Sequence, residues 1–199
     1  MTTLFVSGYT IGTGYEEEVK TRLEPSLQKF GLDYELVGYT SRGSWRENIW
    51  EKPFILDACR RRWKDCSLVW LDADAEVVAY PKMLFSINLG FAAHFRQPKG
   101  NLSSGTMVFG KDISASHLLG FWRSHAQSRA LGYLQESEAS QTEQACLEKL
   151  VSNCLPDHRL TMLPLRYSTI FDGPQPNEDP VIVHYQASRR LKAKVDSAG

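Results

Sequence analysis

Two carboxylates separated by one residue, Asp72 and Asp74, follow the apolar run Ser67-Leu68-Val69-Trp70-Leu71. An uninterrupted run of this kind reads as a strand buried on both faces. Ligands of open α/β sheets bind beyond the carboxyl ends of such strands. In extended backbone, residues i and i+2 project to the same side, so Asp72 and Asp74 are expected to converge on one object. Hard oxygen ligands in that arrangement suit Mg2+ or Mn2+, which usually keep waters and complete their shell with a substrate phosphate. The pattern reads as a metal-bridged diphosphate site. Asp is also common in turns that leave a strand; the preceding elements favour chemistry over a simple turn.

Those elements alternate. Thr3–Ser7 is a short strand-like run ending at Gly8. Val19, Leu23, Leu27 and Phe30 recur at helical spacing over Tyr15–Phe30, and Gly31 stops the helix. Tyr34–Tyr39 alternates like a strand. Apolar residues from Ile49 to Trp63 mark a second helix, with Pro53 tolerable only in its first turn. The succession β-α-β-α-β implies an α/β fold with a parallel sheet between two helical layers, Rossmann-like in architecture.

Beyond Glu76 the pattern is less regular. Short strands are expected at Glu76–Ala79, Phe91–Phe95, Thr106–Phe109, Leu160–Leu163 and Val181–His184. A helical turn is expected at Pro81–Leu89 and a loop at Gln97–Ser104. Asp112–Arg129 and Thr142–Asn153 read as helices, and Asp172–Pro180 as an extended proline-containing loop.

The 199 residues, 42% hydrophobic and 23% charged, fit one domain with a sizeable core and exclude a disordered chain. Twenty-three Lys+Arg balance 23 Asp+Glu, which argues against a uniformly basic nucleic-acid coat. No apolar run approaches the roughly 20 residues that span a bilayer. The first residues lack the basic and apolar regions of a signal peptide. Cys59, Cys66, Cys146 and Cys154 match neither a zinc knuckle nor a Cys-x-x-Cys pair. The expectation is a cytoplasmic protein with reduced, structural cysteines and no membrane partner. Its domain is expected to span 1–187, followed by a basic tail (188–199).

With its strand-borne Asp72-Ala73-Asp74, the chain resembles the GT-A glycosyltransferases, the nucleotide-diphospho-sugar transferases with an Asp-x-Asp motif. The resemblance is most evident to small galactosyltransferase-like and glycogenin-like members, and it covers most of the chain. It implies a single-domain GT-A fold, with a nucleotide-binding half (1–75) and a sugar and acceptor half (76–187). It also implies that Ser7, Gly8, Tyr9 and Thr10 hold the nucleotide, and that Lys52 and Arg189 approach the diphosphate. Asp72-Ala73-Asp74 would then contact the donor, Ser104-Gly105 would lie beside the donor sugar, and Glu143-Gln144 near the acceptor. Asp72, Asp74 and His184 would be the metal ligands. Each assignment has a plainer counterpart. Gly8 suits a turn, Lys52 a solvated helix start, His184 a hydrogen-bonded core position, and Ser140-Gln141-Thr142-Glu143 a capping box.

The resemblance implies a metal-dependent transferase that moves a sugar from a nucleotide-diphospho-sugar, UDP-linked in the first instance, to a hydroxyl of a saccharide or glycoconjugate. The combination of His184 with Glu143-Gln144 is similar to the retaining branch. An alternative acceptor is a hydroxymethylated DNA base, for which Arg60-Arg61-Arg62-Trp63-Lys64 and Arg189-Arg190-Leu191-Lys192-Ala193-Lys194 offer cations interleaved with apolar residues. Paired Asp residues after a strand also serve metal-dependent phosphohydrolases and nucleotidyltransferases, and a noncatalytic nucleotide-sugar-binding protein would carry the same signals. The sequence leaves the oligomeric state open.

Overall fold

A computed structural model describes residues 3–97, 100–135, 137 and 141–187. Strand β1 (Thr3–Thr10) leads into a helical stretch made of α1 (Gly14–Glu18), a π turn (Val19–Leu23) and α2 (Glu24–Lys29). One unbroken helix was the expectation over Tyr15–Phe30. Pro25 explains the difference, because it lacks an N–H and its ring crowds the carbonyl four residues back. The turn before it widens, and the Glu24 N–H bonds the Val19 carbonyl instead, in the π pattern.

Strand β2 (Tyr34–Tyr39) pairs in parallel with β1. Helices α3 (Trp45–Asn48) and α4 (Glu51–Arg62) then return the chain to β3 (Ser67–Leu71), parallel to β1 on its other side. Every residue of β3 is buried. Leu68 and Trp70 pack into one core with Ile55 and Leu56 of α4, while Val69 and Leu71 face the opposite core with Val19, Leu23 and Leu27. This double burial is why β3 reads as a continuous apolar run.

The chain continues through β4 (Ala75–Val77), a 3-10 turn (Lys82–Ser86), β5 (Phe91–Gln97), β6 (Gly100–Phe109), α5 (Ile113–Ala130) and α6 (Glu143–Cys154). It closes with β7 (Leu160–Met162), β8 (Thr169–Ile170) and β9 (Ile182–His184). The main sheet has the order β2-β1-β3-β6-β5-β7, and a second sheet the order β4-β9-β8. The main sheet is mixed and not wholly parallel as expected: β1 pairs in parallel with β2 and β3, β6 runs antiparallel to both β3 and β5, and β7 pairs in parallel with β5. Much of the expected loop Gln97–Ser104 is strand. Asn101, Ser103, Ser104 and Gly105 do not resemble a strand because they carry little apolar surface, and only Leu102 among residues 101–105 joins the core.

Charged residues also take structural roles. Arg60 is buried, and its guanidinium donates to the carbonyls of Cys66 (2.8 Å), Phe109 (3.0 Å) and Gly110 (2.7 Å), tying α4 to β3 and β6. Arg61 pairs with Asp57, while Arg62 and the Trp63 indole N–H both reach Glu35. Within the basic run Arg60–Lys64, Arg60 is thus engaged inside the fold, while residues 61–64 are exposed. Cys59, Cys66, Cys146 and Cys154 are free thiols, and burial pushes that of Cys59 up to about 11. Among the described residues, no helix is long and apolar enough to cross a membrane.

Replacing Arg60 by Met leaves buried carbonyls without donors, for an expected loss of about 3 kcal/mol. Arg61→Ala removes only an exposed pair and is expected to change stability by less than about 1 kcal/mol. Urea denaturation of the two variants checks this, and equal midpoints contradict the anchoring role of Arg60.

Candidate active site

At the end of β3 the chain turns sharply. The Asp72 N–H bonds the Gly105 carbonyl (2.9 Å), and the Ala75 N–H returns to the Asp72 carbonyl (2.9 Å). Asp72 and Asp74 thus converge through a turn, where extended backbone was the expectation. Strand β9 supplies the third member of the cluster. Its antiparallel pairing with β4 puts His184 opposite Ala75, beside Asp74. The ligand atoms of Asp72, Asp74 and His184 all lie within 4.8 Å of one another.

Each side chain is oriented from behind. Asp72 Oδ1 accepts from the Trp70 indole N–H (2.7 Å) and from Lys52 Nζ (2.9 Å). Asp74 Oδ2 accepts from the Ala187 N–H (2.7 Å), and the Asp74 carbonyl from the Tyr185 N–H (3.0 Å). Between these amides sits Gln186, at φ 52°, a left-handed conformation uncommon outside glycine. His184 Nε2 lies 2.8 Å from the Thr106 hydroxyl. Its Nδ1 is buried without a hydrogen-bond partner, 3.8 Å from Asp74 Oδ1. An unsatisfied buried nitrogen is unfavourable by about 1–3 kcal/mol. An Nε2–H donated to Thr106 leaves the Nδ1 lone pair aimed at the carboxylates, the usual arrangement of a histidine ligand. The orphaned nitrogen and two convergent carboxylates fit a divalent cation.

A second cluster adjoins the first. Lys52, near the start of α4, is 7% exposed, and its Nζ is 3.2 Å from Glu143 Oε1 and 3.2 Å from the Ser104 carbonyl. The Ser104 hydroxyl donates to the same Glu143 oxygen (3.0 Å), and the Ser104 N–H donates to Gln144 Oε1 (3.3 Å). Burial opposes charge on Lys52, but Asp72 and Glu143 outweigh it and hold the ammonium above its ordinary pKa. For Asp72 too, burial is the largest influence and favours the neutral form. Lys52, His184 and the Trp70 hydrogen bond overcome it and lower the carboxyl. Glu143 is 5% exposed. Thr142 alone caps α6, accepting from the Ala145 N–H, so the Glu143 side chain faces Lys52 and the capping role foreseen for it is filled by its neighbour. Ser140 lies outside the described residues.

Both clusters open into one cavity of about 340 Å3. Gly8, Tyr9 and Thr10 line it, as do Ala73, Ser104 and Gly105. Ser7 is buried beneath the wall and does not line it. Two glycines are fixed by packing. A Cβ on Gly8 would lie 2.4 Å from Ile55 Cδ1, and one on Gly105 would lie 2.9 Å from His184 Cε1. Arg189 lies outside the described residues. Sequence reasoning missed Trp70, Thr106, Gln186 and Arg96, all at the site. Only Trp70, on β3 two residues before Asp72, carried a usable signal.

The architecture is a single-domain GT-A-like glycosyltransferase fold. Among solved structures, it is similar to a glycosyltransferase involved in the glycosylation of the major capsid of PBCV-1, with a TM-score of 0.72 and 17% identity over 100% of this chain and 98% of that one. It is also similar to the glycosyltransferase GlyE of Streptococcus pneumoniae TIGR4, with a TM-score of 0.59 and 16% identity over 93% of this chain and 55% of that one. The apo form of GlyE gives a TM-score of 0.56 at 17% identity, over 93% of this chain and 54% of that one. This chain thus spans about half the length of GlyE. No family model and no curated protein matches the sequence.

Gly105→Ala places a methyl group against the imidazole and is expected to weaken Mn2+ binding about tenfold, read from the electron paramagnetic resonance of free Mn2+. Wild-type affinity in that variant argues against His184 as a ligand. Lys52→Ala strands Glu143 in a buried site, with an expected loss of about 3–5 kcal/mol. The double variant Lys52→Ala/Glu143→Gln is expected to recover part of it in urea denaturation; strict additivity contradicts the pairing.

Proposed function

We propose that the chain is a metal-dependent glycosyltransferase. It moves a sugar from a nucleotide-diphospho-sugar, with a UDP-sugar as donor, to a hydroxyl of a saccharide or glycoconjugate. The observation that carries this reading is the Asp72–Asp74–His184 cluster, which shares one cavity with the β1 end and with Ser104-Gly105. The likeness of the fold to glycosyltransferases supports it. A mixed oxygen and nitrogen donor set favours Mn2+ over Mg2+. When bound, the cation supplies Lewis-acid stabilisation of the charge that develops on the departing nucleotide diphosphate.

The protein's own residues do the rest. Tyr9 offers a ring to the nucleobase, and Gly8 a side-chain-free approach to the ribose. Burial above all, then Asp74 and Asp72, holds the Tyr15 phenol well above its usual pKa, so it stays a neutral hydroxyl in the nucleotide end of the cavity. Lys52 offsets carboxylate charge next to the diphosphate. Ser104 and Gly105 form the floor beneath the donor sugar, and Gln144 fixes that floor through the Ser104 N–H.

Retention is the stereochemistry these contacts support. An inverting transferase needs a carboxylate base in line with the acceptor hydroxyl. Among the described residues the cavity carboxylates are Asp72, Asp74 and Glu143. The first two serve the metal, and Glu143 Oε1 is engaged by Lys52 and Ser104. The acceptor proton therefore passes to the leaving phosphate oxygen as the old bond to the anomeric carbon breaks and the new one forms on the same face. A saccharide acceptor is favoured over modified DNA because, in one of the two basic runs, Arg60 is buried on backbone carbonyls and Arg61 and Arg62 pair with Asp57 and Glu35.

A panel of nucleotide sugars with Mn2+ tests the reading by thermal shift and by slow release of free nucleotide. A UDP-sugar is expected to raise the melting temperature and to be hydrolysed slowly, and both effects should vanish with EDTA and in Asp74→Asn. The assignment fails if no nucleotide sugar stabilises the wild type, or if the variant binds as well.

A further inference from the structure

Among the described residues, two long basic side chains line the cavity, Lys52 and Arg96. Their situations are opposite. Lys52 is buried and held by Asp72 and Glu143. Arg96 is exposed, and no described carboxylate pairs with it. A guanidinium is a permanent cation whose planar fork fits two oxygens at once, and this one stands in a cavity wall with no carboxylate partner among the described residues.

The main sheet gives its place. The nucleotide end belongs to β1, Asp72 and Asp74 follow β3, and the sugar floor Ser104-Gly105 belongs to β6, in the spatial order β1-β3-β6-β5. Arg96 lies on β5, one strand beyond the floor. Phe95 pairs with Leu102 and Gln97 with Gly100, so Arg96 is level with Asn101, three residues along β6 from Ser104. At about 3.4 Å per residue and about 4.8 Å between strands, its backbone is on the order of 10 Å from that of Ser104. The direction is away from β3, which Asp72 and Asp74 follow. Ser103 and Ser168, whose hydroxyls are 3.0 Å apart, stand in the same wall.

Charge gives the ligand. Three carboxylates line the cavity, and a donor brings a diphosphate. An anionic second substrate meets a repulsive field unless a cation stands on its path, whereas a neutral one has no use for an exposed guanidinium. We propose that Arg96 binds an anionic group of the acceptor, a carboxylate or a phosphate, so that the substrate class is an acidic saccharide: a uronate or a sugar phosphate. This rests on the glycosyltransferase reading above, and it adds the chemical class of the acceptor and the residue that selects it.

The test uses equilibrium binding, so that it does not depend on turnover. Saturation-transfer NMR on the full chain, with no donor present, compares methyl β-glucuronide and glucose 6-phosphate with neutral methyl β-glucoside. UDP with Mn2+ is titrated separately by calorimetry. In the wild type at least one anionic probe is expected to bind about tenfold more tightly than the neutral one, and the preferred probe tells carboxylate from phosphate. Arg96→Gln is expected to abolish that preference, while Arg96→Lys retains part of it, with UDP affinity within about twofold of wild type in both. Equal binding of charged and neutral probes by the wild type overturns the proposal. So does a preference that survives Arg96→Gln, or a loss of UDP affinity in that variant, which would assign the arginine to the donor. If the wild type fails to bind UDP with Mn2+, the donor reading falls while the comparison of probes still decides whether Arg96 selects anions.

Discussion

Three carboxylates share one cavity, and their mutual repulsion is the constraint around which the rest is arranged. Like charges brought into one cavity repel, and positive charge placed among them offsets the repulsion. Lys52 supplies it from the first turn of α4, between Asp72 and Glu143, at 2.9 and 3.2 Å. One ammonium thereby joins the end of β3, the start of α6 and, through Ser104, the middle of β6. Elements distant in sequence meet at a single charge, and their relative positions are fixed where the chemistry needs them fixed.

Asp74 is stabilised differently. Its carboxylate has no lysine; it takes one backbone N–H from Ala187 and faces the unpartnered nitrogen of His184. The site is therefore asymmetric, with a first carboxylate neutralised by the protein and a second left short of positive charge. That deficit is where a divalent cation is most favoured, and it distinguishes two aspartates that look equivalent in the sequence. Arg96, exposed and one strand further on, extends the alternation of charge along the wall.

Much of this was legible in the residues. β3 announced itself because both of its faces are buried, and the helix containing Lys52 because Pro53 is tolerated only in a first turn. Asp72 and Asp74 were found by their position after β3, although they converge through a turn closed by Ala75 and not through strand geometry. What stayed hidden has physical causes. The polar residues at the start of β6 look like a loop because they face a cavity, and side-chain patterning reports burial more directly than backbone pairing. Arg60 looks like a solvated charge because its partners, carbonyls near residue 110, are remote in the chain; Glu143 was singled out, but its pairing with Lys52, equally remote, left no signal. The left-handed turn at Gln186 leaves no sequence signal, since glutamine is not a residue that marks such a conformation.

The small sheet β4-β9-β8 bears on how the molecule comes into being. β4 and its partner β9 are separated by more than a hundred residues, and the whole β5–β6 hairpin and helices α5 and α6 lie between them. The Asp72–Asp74–His184 cluster is therefore complete only where β9 is docked against β4, and a chain without that contact holds the two aspartates without the imidazole. On the proposed reading, a cation held by all three side chains would favour the docked strand over its separation.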